Sequence, residues 1–119
     1  MPHSPQDVHK KVLGRKGEKL VEKYLIERGC KLLKRNFRTP FGEADLVVKE
    51  GEEIVFVEVK ARTSDKFGAP REAVGREKQK RYYKIAQYYA AKEGSEPNAR
   101  FDVAEVYEGG RIEYYKNAF

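Results

Sequence analysis

Three residues, Asp45 and then Glu58 and Lys60 on either side of Val59, have the types and spacing that could do chemistry. They lie in the stretch GEADLVVKEGEEIVFVEVKAR, residues 42–62. Two runs rich in Val, Ile and Phe flank Gly51-Glu52 and read as a β-hairpin, with Gly first in the loop as a type II′ turn prefers. That turn sets a register in which Glu50 faces Glu53, Lys49 faces Ile54, Val47 faces Phe56, Asp45 faces Glu58 and Glu43 faces Lys60. Directly opposed residues share a face, and side chains alternate along a strand. Glu43, Asp45, Glu58 and Lys60 are therefore expected at one end of one face. Opposed carboxylates about 5 Å apart at Cβ repel each other. A divalent cation between them reverses the sign. Mg²⁺ takes oxygen ligands at about 2.0–2.1 Å and keeps several waters, so a few carboxylates suffice. The expected cofactor is Mg²⁺ or Mn²⁺, held by Asp45 and Glu58, with the backbone carbonyl of Val59 able to add a ligand. The Lys60 ammonium could then orient or deprotonate a bound water, or offset charge on a phosphorane-like transition state. For Glu43 an ion pair with Lys60 is expected ahead of metal binding.

Such a hairpin needs elements around it. SPQDVHKKVLGRKGEKLVEKYLIERG reads as a long helix, with Ser4 as cap, Pro5 in the first turn and Gly29 as the stop. Leu13, Gly17, Leu20, Val21, Tyr24 and Leu25 recur at helical spacing and predict its apolar face. KLLKRNFR is a predicted strand and TPFG a turn. The segment after Arg62 reads as loop, with a short helical turn near Glu72 to Val74. REKQKRYYKIAQYYAAKEG predicts a second helix whose apolar face is Tyr82, Ile85, Ala86 and Tyr89, closed by Gly94. Of its four tyrosines, one pair packs in the core and the other faces outward. SEPN is a predicted linker, and RFDVAEVY and RIEYYK a hairpin across EGG. The expected order is α-β-β-β-α-β-β. Asp102 is most simply paired with Arg100.

At 119 residues the chain suits one domain, 1–119, with residues 1–7 expected to be a flexible N-terminus. One Cys excludes an internal disulfide and a Cys-based zinc site. No apolar run approaches the roughly 20 residues of a membrane span, and the N-terminal stretch has no apolar signal core. A cytoplasmic protein without membrane contact is expected. The net charge of +6 is unevenly spread. Met1 to Arg38 holds eleven Lys and Arg against four acids, whereas Thr39 to Lys60 holds six acids against two Lys. A plain nucleic-acid binder has no need of that acidic island; a metal-dependent nuclease needs both parts.

The motifs GRKGEKLVEKYL, NFRTPFGEADLVV, VFVEVKART, FGAPREAV and RFDV together look like the YraN-like family of small uncharacterised proteins, from Gly14 to Val103. Asp45 with Glu58-Val59-Lys60 resembles the core of the PD-(D/E)XK nuclease superfamily. The resemblance implies a restriction-endonuclease-like α/β (α+β) fold, a central mixed sheet flanked by helices. It also implies similarity to archaeal Holliday junction resolvases, whose catalytic set maps here onto Glu18, Asp45, Glu58 and Lys60. The superfamily's Pro is replaced by Ala44, and Gly-Glu-Ile-Asp reads Gly-Glu-Ala-Asp. Family analogy also turns Gln79 and Lys80 towards the site.

The expected function is a metal-dependent endonuclease hydrolysing DNA phosphodiester bonds, with branched or damaged DNA in recombination or repair as candidate substrates. Arg15, Lys16, Arg38, Arg62 and Lys80 are the candidate phosphate contacts, although charged helix faces are usually just solvated. Two rivals are a non-catalytic nucleic-acid-binding or scaffold protein on the same fold, and an RNA-directed nuclease. A homodimer is compatible with the outward tyrosines.

Overall fold

The computed structural model describes residues 5–62, 74–94 and 98–119, with backbone alone for 5–14. Its elements are α1 (Pro5–Glu27), β1 (Lys31–Thr39), β2 (Gly42–Glu50), β3 (Glu53–Arg62), α2 (Arg76–Glu93), β4 (Asn98–Tyr107) and β5 (Ile112–Tyr115). The expected order and fold class are the ones found, α+β with a central mixed sheet and two helices. The helical turn expected near Glu72, the SEPN linker up to Pro97 and residues 1–4 lie outside the described residues. Helix α1 already includes Pro5 to Asp7, part of the expected flexible stretch. Among the described residues no helix is long and apolar enough to cross a membrane.

Five strands form one sheet in the order β1-β2-β3-β4-β5. Short turns join β1, β2 and β3, and β4 and β5, as antiparallel neighbours. β3 and β4 are parallel, which requires a crossover, here made with α2. The β2–β3 register is the expected one from Glu50↔Glu53 to Leu46↔Val57. Gly51, at φ 58°, supplies the positive backbone angle of the primed turn. Helix α1 ends in a Schellman motif: Gly29 (φ 90°) donates its N–H to Ile26 O at 3.0 Å and Cys30 to Leu25 O at 3.0 Å.

The sheet buries both faces. Leu46, Val48, Val55, Val57, Ala104 and Val106 pack with Val21 and Leu25 of α1. Val47, Phe56 and Ala44 pack with Tyr82, Ile85, Ala86 and Tyr89 of α2. β3 is therefore covered on both sides and reads as a near-continuous apolar run. The apolar face of α2 is as expected; Tyr83 is exposed and Tyr88 half-buried. In α1 the buried stripe is narrower than expected, because Leu20 is exposed. Gly17 lets α1 press on the sheet: a Cβ there would stand 3.4 Å from Val106 Cγ2 and 3.6 Å from Val59 Cγ1. Only a very small side chain fits that approach, which fixes the neighbouring Glu18 over the sheet.

After β5 the chain folds back. Ala118 donates its N–H to Phe101 O, and the Phe119 ring packs on Tyr82, Tyr83 and Phe101.

Candidate active site

The β2–β3 ladder stops at Leu46↔Val57, one pair short of Asp45 and Glu58. β2 turns there. Ala44 and Val47 both pack towards α2, which strict alternation forbids for residues three apart. Across from the turn, Asn36 takes a left-handed φ of 48° and drops out of the β1–β2 ladder between Arg35↔Leu46 and Phe37↔Ala44. The strands splay, and a side chain replaces the missing backbone partner: Asp45 Oδ2 accepts the Val59 N–H at 2.8 Å. The N–H and C=O of one strand residue point to the same side. The Val59 carbonyl thus also faces this gap.

Glu58 is buried on the α2 face. Its two oxygens accept hydrogen bonds from Lys78 Nζ and Tyr82 Oη, both on α2. Burial, then Glu58 and Asp45, hold the Tyr82 hydroxyl far above its usual range, so it acts as a donor. Burial is also the first cause raising Asp45, to about 7, with Glu58 the second; the Val59 N–H and Lys78 pull the other way. Glu18 is raised by burial, then by Glu43 and Glu58, against Arg15. Glu18, Asp45 and Glu58 therefore share one electrostatic neighbourhood at the splayed end of the hairpin.

Lys60 is half-buried on the strand that carries Glu58, and no carboxylate among the described residues is within ion-pair distance of it. Glu43 does not pair with Lys60. It meets Arg38, its direct partner across the β1–β2 ladder, at 3.5 Å. Arg62 is not free to reach out as a phosphate contact: its guanidinium is held by Glu105 at 2.7 Å, in a largely buried pair. Arg15, Lys16, Arg38 and Lys80 are exposed. Gln79 turns its amide to Val74 O at 2.9 Å. A hollow of about 540 Å³ on the α1 side is lined by Arg15, Glu18, Lys19, Glu22, Arg35, Asn36 and Leu46. A smaller one of about 210 Å³ on the α2 side is lined by Gly42, Glu43, Lys78, Arg81, Tyr82 and Ile85.

Sequence reasoning missed Lys78 and Tyr82 as partners of Glu58. One signal was present: Lys78 is one turn from Tyr82 on the face predicted to be buried, and a lysine there needs an acid. Among the described residues no three His, Cys, Asp or Glu side chains converge as a ready ligand set. Asp45 keeps one oxygen without a donor among the described residues, as a hard cation that completes its shell with water would require, whereas both Glu58 oxygens are held by Lys78 and Tyr82.

The relatives agree in length and sequence. A UPF0102 protein of Thermodesulfovibrio yellowstonii is 48% identical over 107 residues, covering 90% of this chain and 95% of its own. One from Alkaliphilus metalliredigens is 44% identical over 112 residues, covering 92% and 98%. Among solved structures, the Holliday junction resolvase Hjc of Archaeoglobus fulgidus is similar at TM-score 0.48 and 17% identity, over 83% of this chain and 72% of that one. The uncharacterised protein family UPF0102 matches residues 17–106, three-quarters of the sequence, and the chain belongs to that family.

Proposed function

We propose that this protein is a metal-dependent endonuclease that hydrolyses DNA phosphodiester bonds. The observation that carries the reading is the Asp45–Glu58 pair, placed where β2 and β3 part. Two acids in a partly dry gap, one raised to about 7, are an arrangement that a cation stabilises and that a purely structural site avoids. Mg²⁺ or Mn²⁺ bound there would supply charge neutralisation at the scissile phosphate and a more acidic water. Asp45, Glu58 and the Val59 carbonyl would hold it. Lys60, two residues beyond Glu58 on the same strand, would orient the attacking water or balance charge developing on the phosphate. Glu18 would hold a water at the far side of the gap. Arg15 and Lys16, exposed on α1, would position the phosphate backbone.

A second reading has its own observation: Lys78 and Tyr82 already satisfy Glu58. A protein that only binds nucleic acid could keep the acid as an internal ion pair. A panel of duplex, flap, single-stranded and four-way DNA, incubated with Mg²⁺ or Mn²⁺, decides between them. Cleavage that Asp45→Asn abolishes supports the nuclease. Salt-sensitive DNA binding with neither metal binding nor cleavage on any member supports the second reading.

A further inference from the structure

Phe41 stands at the tip of the β1–β2 turn with 43% of its surface exposed. Single exposed apolar residues are common and need no function. Three features set this one apart. First, the tip is rigid. Thr39 Oγ1 accepts the Phe41 N–H at 3.0 Å and donates to Gly42 O at 2.8 Å, and Pro40 fixes its own φ between them. The ring is therefore presented without a large loss of freedom on binding. Second, one cation lies near the ring and two more lie on or beside the turn that carries it. Lys84 Nζ lies 5.7 Å from its centroid, Arg81 Cδ would lie 3.8 Å from a Cβ on Gly42, and Arg38 begins the turn. Neither Arg81 nor Lys84 has a carboxylate partner among the described residues, and Arg38 meets Glu43 only in an exposed pair. Third, the 210 Å³ hollow runs from Gly42 and Arg81 to Lys78 and Tyr82, the two residues that hold Glu58. It is smaller than the roughly 300 Å³ at which small-molecule sites begin.

We infer that Phe41 is a stacking platform for one unpaired nucleotide beside the scissile phosphate, with Arg81 and Lys84 on the flanking phosphates. A flat ring in a basic setting is what single-stranded nucleic acid uses, because every base offers a face to stack on. A base inside a duplex offers only its edges and cannot reach the ring. The substrate class is thus DNA with an unpaired strand next to the cut rather than continuous duplex. The inference rests on the nuclease reading for its position beside the scissile bond; the stacking itself does not.

The test separates the two by leaving out the metal. The sequence contains no Trp, so Phe41→Trp places a unique fluorophore at the tip. Titration with a dT oligonucleotide in EDTA should quench its emission saturably, while a blunt duplex should not. By anisotropy, Phe41→Ala and Phe41→Leu should each weaken single-strand binding roughly tenfold, leave duplex binding within about twofold, and be rescued by Phe41→Tyr. Emission unchanged at saturation, equal loss on both DNA forms, preference for duplex, or no binding to either form would each overturn the inference. Cleavage with Mg²⁺ is scored separately. A protein that cuts without the Phe41 signals keeps the nuclease reading and loses this one; one that stacks without cutting does the reverse.

Discussion

The β2–β3 hairpin carries two acids at each end, and the two ends solve the same problem differently. At the turn, Glu50 pairs with Glu53. Arg100 of β4 reaches both, at 3.1 and 2.9 Å, and also clamps the fully buried Asp102, whose carboxylate accepts from Tyr114 and from the Asn117 N–H. Lys116 adds a second cation to Glu50 at 3.1 Å. The Arg100 and Lys116 hydrogen bonds together hold Glu50 down to about 2. At the open end, Asp45 goes the other way, up to about 7. Lys78 serves Glu58, and among the described residues no cation bonds Asp45 directly. One end carries its counter-charge in the sequence. At the other, Asp45 takes no such counter-charge from the described residues.

The comparison can be broken, and the largest effect should be on catalysis. Asp45→Asn keeps the shape and removes one charge, so cleavage should fall by about a hundredfold or more, whereas DNA binding in EDTA should hold or strengthen. Lys60→Ala should lose turnover as badly yet keep its heat of Mn²⁺ binding, which calorimetry would show. Equal cleavage by wild type and Asp45→Asn would refute the site. Next in size is Arg100→Ala, which removes the cation shared by Glu50, Glu53 and the fully buried Asp102. It should cost about 3–5 kcal/mol in urea unfolding, and a loss below about 1 kcal/mol would mean that water already carries those charges.

Smaller and opposite in sign, Asp45→Asn should stabilise the metal-free protein. Burial and Glu58 raise the folded-state value, so the unfolded chain ionises first and stability drops as pH rises from about 4 towards 7. At pH 8 the gain should be about 1–2 kcal/mol after solvent at the open gap screens part of the repulsion. At pH 4 it should vanish, and saturating Mn²⁺ should reverse the ranking. Smallest is Glu50→Gln. Here the folded value is depressed, so the wild type's advantage is present above pH 4.5 and fades as pH falls towards 2. Thermal melts at pH 7 and pH 2.5 should show the gap closing.

What could be read from residue order was what short range decides. The Gly51 turn dictates the hairpin register, and the spacing of Tyr82, Ile85, Ala86 and Tyr89 dictates the buried face of α2. Arg100 and Asp102, two apart on one strand, share a face and were expected to pair. Long-range placement was not legible. Glu50 and Glu53 join Arg100 only through the parallel β3–β4 pairing, and Lys78 reaches Glu58 only after the crossover. Nor does alternation announce its own failure. β2 turns at Asp45, with Asn36 left-handed opposite, and Glu43 pairs with Arg38 across the β1–β2 ladder rather than with Lys60. Leu20 looked like core on a helical wheel, but close contact at Gly17 narrows the stripe that α1 buries.

The parallel pairing also sets an order of assembly. Glu53 meets its β2 partner across a two-residue turn, but meets Asn98 of β4 only after α2 has been traversed. Non-local pairing of this kind closes slowly. The hairpin bearing Asp45 and Glu58 can form early, before Lys78, Tyr82 or Arg100 arrives to temper its acids. Each end of that hairpin is then a point of repulsion in the nascent chain. Folding from urea should accordingly quicken when salt screens those charges, or when a divalent ion reaches the open end first.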